Sequence, residues 1–223
     1  MEGLNQLTKK SGLEPVKILI GVPSGDSVVL PFHRSFADAV RTSWAKIETY
    51  SVRGMNTVSA RNKIVFRALD RKFDYIFFMD SDMEFPPGSL DRLLNHNKDI
   101  VGGFYTRKKK GFLPNAFKLG FAENDKLLTE FVADFREVEA IGTGCLLIKT
   151  EVFNKVKTPW IEYEPTSSPD FHMSTEDIVF CKNAKEVGYK IYCDGTIACG
   201  HVGMFVVTPC VINGINQVRV DPV

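Results

Sequence analysis

The chain has 223 residues with 44% hydrophobic content, enough to bury one large core and short for two domains of ordinary size. A formal net charge of +1 gives no global attraction to nucleic acid or to an anionic membrane, so any charge-based function is local. No run of about 18 apolar residues crosses a bilayer as a helix, and the first residues lack the apolar core of a secretory signal, so a soluble, cytoplasmic protein is expected.

Residues 1–15 are polar, lack periodicity and read as a loose arm. Val16 to Val22 is a short continuous apolar run, the pattern of a strand buried on both faces. It runs into Pro23-Ser24-Gly25-Asp26, which suits either a ligand loop or an ordinary strand-to-helix turn. Phe32 to Ala45 carries Phe36, Ala39, Val40 and Trp44 at helical spacing, and Ile47 to Val52 reads as a second strand. Such a β-α-β unit favours a parallel sheet.

A second helix starts at Ser59, a suitable N-cap, with Ala60, Ile64, Val65, Ala68 and Leu69 on one face. Arg61 in its first turn opposes the helix dipole unless an anion lies near; a solvated surface arginine is the alternative. Tyr75 to Met79 is the next buried strand, and it ends abruptly in Asp80-Ser81-Asp82. Asp-x-Asp is a pattern that chance supplies. Open α/β sheets, however, bind ligands at the carboxyl ends of their strands, where paired carboxylates suit a divalent cation held against phosphate.

Ser89 to His96 reads as a short helix, and Asp99 to Tyr105 as a strand whose Gly102 and Gly103 permit close approach. Arg107-Lys108-Lys109-Lys110 is either a solvated loop or a closing loop that neutralises phosphate. Phe112 to Glu139 alternates weakly, as hairpin strands do. In Ala140 to Lys149 the glycines precede the strand, unlike a dinucleotide fingerprint, and read as its tight start beside the active edge. Thr150 to Val156 is a short helix. Trp160 and Glu162 offer an aromatic platform and an acid, although a tryptophan is more often simply a core residue. Glu164 to Met173, containing His172, has two prolines and no periodicity, the composition of a lid.

Ile178, Cys181, Ala184 and Val187 mark one face of a further helix, ended by Gly188. Ser174 and Asp177 have capping-box spacing, and acids at Glu176 and Asp177 suit a helix amino terminus without any catalytic purpose. Tyr189 to Asp194 is a strand. His201, between Gly200 and Val202-Gly203, is exposed by its small neighbours and available to a metal. The five cysteines, an odd number lying mostly in apolar segments, fit a reducing compartment. Residues 204–223 have two apolar patches and no motif.

Together, the Ser59-Ala60-Arg61-Asn62 helix, FFMDSDMEFPP, GTGCLLI, Pro159-Trp160, STEDIVFC and CGHVG resemble nucleotide-sugar-dependent glycosyltransferases of the A-type fold, the family-two-like group above all. The resemblance spans residues 16–203, leaving 204–223 as a carboxyl-terminal extension. It implies a single-domain, Rossmann-like α/β fold with a mostly parallel central sheet flanked by helices. It also implies transfer of a hexosyl or related sugar from a nucleoside-diphosphate sugar to a carbohydrate or other hydroxyl-bearing acceptor. Mn²⁺ or Mg²⁺ would lie on Asp82 and His201, with Asp80 touching the metal or the ribose. Val22, Pro23, Ser24, Asp26, Arg61, Asn62, Asp80 and Ser81 would line the nucleotide. Asp177, beside Glu176, matches the base of inverting members, and Trp160, Glu162 and His172 fall toward the acceptor or lid. No nucleic-acid partner is implied.

Two other classes compete. A metal-dependent phosphohydrolase also uses Asp-x-Asp, but after its first strand, whereas here a whole β-α-β unit precedes the motif. A nucleotide-sugar-binding module without turnover has less need of Asp80, Asp82, Asp177 and His201 together. Phosphate release from a simple phosphoester marks the first, sugar transfer the glycosyltransferase, and metal-dependent nucleotide binding without either the module.

Overall fold

The computed structural model describes residues 15–42, 45–108, 111–122, 126–165, 173–203 and 205–222. Nearly all of the expected arm, Trp44, His172 and most of the expected lid lie outside the described residues.

Strands β1 (Val16–Ser24) and β2 (Ala45–Arg53) are joined through helix α1 (Leu30–Ala39), and helix α2 (Thr57–Asp70) leads to β3 (Tyr75–Met79). A two-residue strand, β4 (Met83–Glu84), precedes α3 (Ser89–Asn95) and β5 (Ile100–Phe104). Next come β6 (Ala116–Ala122), β7 (Lys126–Glu130), β8 (Phe135–Val138), β9 (Ala140–Ile141) and β10 (Cys145–Lys149), the last followed by a 3-10 turn over Thr150–Asn154. The chain continues through β11 (Glu164–Pro165), β12 (Met173–Ser174), α4 (Glu176–Glu186) and β13 (Ile191–Ala198). It closes with β14 (Gly200–Val202), β15 (Phe205–Ile212) and β16 (Ile215–Pro222).

The central sheet has seven strands in the order β2-β1-β3-β10-β5-β13-β8. β1 is parallel to β2 and β3, and β13 is parallel to β5. β10 runs against both of its neighbours, and β8 runs against β13. The smaller sheets, β11-β12, β16-β15-β14-β4 and β7-β6-β9, are antiparallel throughout. The molecule is thus mixed α/β and richer in strand than in helix, which corrects the expected mostly parallel Rossmann-like sheet. The cause is physical. Cys145-Leu146-Leu147-Ile148 is as continuously apolar as Ile76-Phe77-Phe78-Met79 because both are buried on two faces, and such a run reports burial, not direction.

Successive residues of the central strands feed two cores. Leu19, Ile76, Phe78, Leu146 and Ile148 pack with Ile64, Val65 and Ala68 of α2 and Phe180 and Ala184 of α4. Ile18, Ile20, Phe77, Met79 and Leu147 pack on the other face with Phe32 of α1 and Leu90 and Leu93 of α3. Each of the larger of these side chains, Val, Leu, Ile, Phe or Met, contributes about 1.5–3 kcal/mol when fully buried, so the strands that carry the site have little freedom to shift. All five cysteines are free thiols. No helix among the described residues is long and apolar enough to cross a membrane.

Helix starts differ from the sequence expectation by a few residues. Asn56, rather than Ser59, caps α2, its side-chain oxygen accepting from the Ser59 backbone N–H at 2.9 Å. This moves Arg61 from the first turn into the second. Ser174 pairs within β12, so Thr175 becomes the N-cap of α4 and the expected capping box is absent.

Candidate active site

The Asp80-Ser81-Asp82 turn is fixed by backbone bonds to separate segments. Asp80 N–H donates to the Gly144 carbonyl at 3.0 Å, at the start of β10, and the Val202 N–H of β14 donates to the Asp82 carbonyl at 2.7 Å. The Ser81 carbonyl accepts from Val29, at the start of α1, at 3.3 Å. β4 then pairs with β14 so that Met83 faces His201. Two very short strands therefore deliver His201 to Asp82.

The acids divide into two groups. In the first, Asp82 Oδ2 lies 3.5 Å from His201 Nε2 and 2.5 Å from Lys108 Nζ. Burial pushes the Asp82 carboxyl up, but hydrogen bonds and charge from His201 and Lys108 outweigh it and hold the group at about 2. His201 Nδ1 lies 2.9 Å from the Thr106 carbonyl. That carbonyl only accepts, so Nδ1 carries the proton and the Nε2 side is left to Asp82. The His201 ring also meets the edge of Tyr105, with centroids 5.6 Å apart.

In the second group Arg61, 3% exposed, donates from Nη2 to both Asp80 oxygens at 2.9 and 3.2 Å and from Nη1 to Glu176 Oε1 at 2.7 Å. Burial disfavours the guanidinium charge, but Asp80, Asp177 and Glu176 more than compensate and raise its affinity for the proton. Asp177, in the first turn of α4, is pushed up to about 6, by burial first and then by Glu176 and Asp80, against the opposing charge of Arg61. Tyr105 bridges the groups: its hydroxyl accepts from Gly144 N–H at 3.1 Å. A Cβ on Gly144 would stand 3.0 Å from that hydroxyl and 3.2 Å from Asp80 Oδ2, so glycine lets the start of β10 lie against the site.

The other expected site residues are distributed around this edge. Val22 is buried at the end of β1, and Pro23 and Ser24 complete that strand. Asp26 is exposed and faces Arg53 at 3.4 Å. Asn62 turns away from the acids, donating to the Val58 and Ile161 carbonyls at 2.9 and 2.7 Å and accepting from Ile161 N–H at 3.2 Å. It thereby clamps the Trp160 segment to α2. Trp160 donates its indole N–H to the Phe153 carbonyl at 2.8 Å, and Glu162 lies 3.2 Å from Lys157. These residues, with Phe66, Pro159 and Tyr163, line an open cleft of about 750 Å³. Asp80, Asp82, Glu176 and Asp177 do not line that cleft; Tyr163 links the two, its hydroxyl raised by burial and by the Glu176 charge.

The structure thus brings Asp82 and His201 together, gathers Asp80, Glu176 and Asp177 around Arg61, and leaves Asp26 and Asn62 outside both groups. Sequence reasoning missed Tyr105 and Thr106. They follow directly on β5, which points the same way as β3, so the rule that singles out Asp80 singles them out as well. Among the described residues no group of three or more His, Cys, Asp or Glu is arranged to hold a metal.

No family model and no curated protein matches the chain. Among solved structures, the crystal structure of A197 from STIV is similar, with a TM-score of 0.61 at 18% identity, over 92% of this chain and 94% of that one. At that identity the likeness is one of fold.

Proposed function

We propose that the protein is a metal-dependent glycosyltransferase that moves a sugar from a nucleoside-diphosphate sugar to an acceptor hydroxyl. One observation carries this reading: carboxylates from the end of β3 and the start of α4 and an imidazole from β14 meet at one sheet edge with negative charge in surplus. Asp80, Asp82, Glu176 and Asp177 face the cations Arg61 and Lys108. The motif resemblance supports the same assignment.

The donor set fits a hard divalent cation. His201, with Nδ1–H spent on a carbonyl, has the orientation of a metal-ligating histidine. Mg²⁺ and similar ions need only one or two protein carboxylates when substrate phosphates and water complete the shell. Asp82 and His201 would hold the ion, which when bound supplies Lewis-acid stabilisation of the leaving diphosphate. Asp80 and Glu176, fixed by Arg61, keep the surrounding charge in place. Asp177 takes the proton of the attacking hydroxyl; a carboxyl titrating at about 6 is ionised at neutral pH yet more basic than an ordinary aspartate.

A thermal-shift panel of nucleoside diphosphates and their sugars, with and without Mn²⁺, tests this. A ligand at 100 times its Kd stabilises by about 2.7 kcal/mol. One base is expected to raise Tm, only with Mn²⁺, and Asp82→Ala is expected to melt normally but lose that increment. The absence of any Mn²⁺-dependent nucleotide shift in the wild type sinks the proposal.

A further inference from the structure

Lys108 stands where a cation acts on Asp82. Its Nζ is 2.5 Å from Asp82 Oδ2 and 3.3 Å from the Val202 carbonyl oxygen. Its stem lies along Gly203, where a Cβ would come within 3.4 Å of Lys108 Cδ. His201 Nε2 approaches the same carboxylate oxygen at 3.5 Å. A divalent ion on Asp82 and His201 competes with this ammonium for the same lone pairs, and two cations so close repel strongly.

Resting on the metal-site assignment just made, we propose that Lys108 is the resident counter-ion of Asp82 in the free protein and moves to the donor's diphosphate when a divalent ion displaces it. Arg61 is unsuited to that exchange, being 3% exposed and held by two carboxylates. Lys108 is 39% exposed, on a flexible stem with three rotatable donors, and an ammonium is a good point-charge partner for phosphate. The exchange couples two ligands. A metal ion alone has to break the Lys108–Asp82 pair, whereas a metal ion with diphosphate offers the ammonium a new partner. Each ligand therefore tightens the other, by the same factor in both directions.

The test titrates the full chain with Mn²⁺ alone, following the free ion by electron paramagnetic resonance, and repeats the titration with inorganic pyrophosphate. Wild type, Lys108→Ala, Lys108→Arg and Asp82→Asn are compared, each with its melting curve. Lys108→Ala is expected to bind Mn²⁺ alone about tenfold more tightly than wild type, about 1.4 kcal/mol, and to lose most of the tightening caused by pyrophosphate. Lys108→Arg stays close to wild type, and Asp82→Asn abolishes binding. Unchanged or weaker Mn²⁺ binding by Lys108→Ala, with Asp82→Asn still inactive in binding, overturns the role of Lys108 and leaves the metal site standing. Binding that survives Asp82→Asn, or no binding by any of the four proteins, overturns the metal site and this inference with it.

Discussion

At Arg61, one guanidinium holds Asp80 and Glu176, which lie 19 and 115 residues away in sequence. Neither partner was legible, because nothing in local spacing links a helix residue to carboxylates so distant. By sequence Arg61 suits either a ligand contact or a solvated surface; in the fold it is a buried ion-pair hub. Asp177 lies in its field. The carboxyl releases its proton near 6 in the folded chain against an ordinary 3.8. The native state therefore binds that proton more tightly than the unfolded chain does. Stability falls as pH rises through that window and is level above it. Asp177→Asn removes the loss, so it should raise stability at pH 7 by about 1–3 kcal/mol, with the gain vanishing below pH 4, and on the function proposed above it should also abolish sugar transfer. Urea unfolding across pH 4 to 7 measures this, and a gain independent of pH contradicts it.

Among the elements, β3, α2 and α4 were readable because each is long enough to display a period or a full apolar run. β4 and β14 were not: two and three residues have no period, yet their pairing is what sets His201 beside Asp82. The carboxyl-terminal residues, read only as two apolar patches, form the β15–β16 hairpin, and β15 continues the sheet through β14. The packing of α2 on β1 positions Arg61 one turn from Ile64. A Cβ on Gly21 would lie 2.5 Å from Ile64 Cγ2, and a β-branched side chain has no rotamer room to yield. Gly21→Ala is expected to cost about 1–3 kcal/mol, seen as a lower urea midpoint at unchanged slope. Gly25→Ala, with no atom within 4 Å of the new Cβ, is the control and should change little.

For the whole molecule, the apolar runs pointed to buried central strands with Asp80 and Asp82 following one of them, whereas the strand directions were hidden for the reason that β10 illustrates. β10 is central in the sheet but comes late in the chain: Leu147 faces Phe77 of β3 on one side and Val101 of β5 on the other. β3 and β5 cannot complete their ladders until a strand from far along the sequence slides between them. Pairings of such long sequence separation make folding slow. Pulse-labelled hydrogen exchange during refolding should show the facing amides of β3, β5 and β10 gaining protection together, after those between β1 and β2. Protection of β5 ahead of β10 would contradict that order. Because Gly144, at the start of β10, also holds Asp80, the Asp80 turn is expected to be fixed only once β10 docks. On that order Asp80 would meet its partners across the sheet only as the apolar centre closes, and a chain halted before β10 docks would carry the acids without the backbone bond that sets the Asp80 turn.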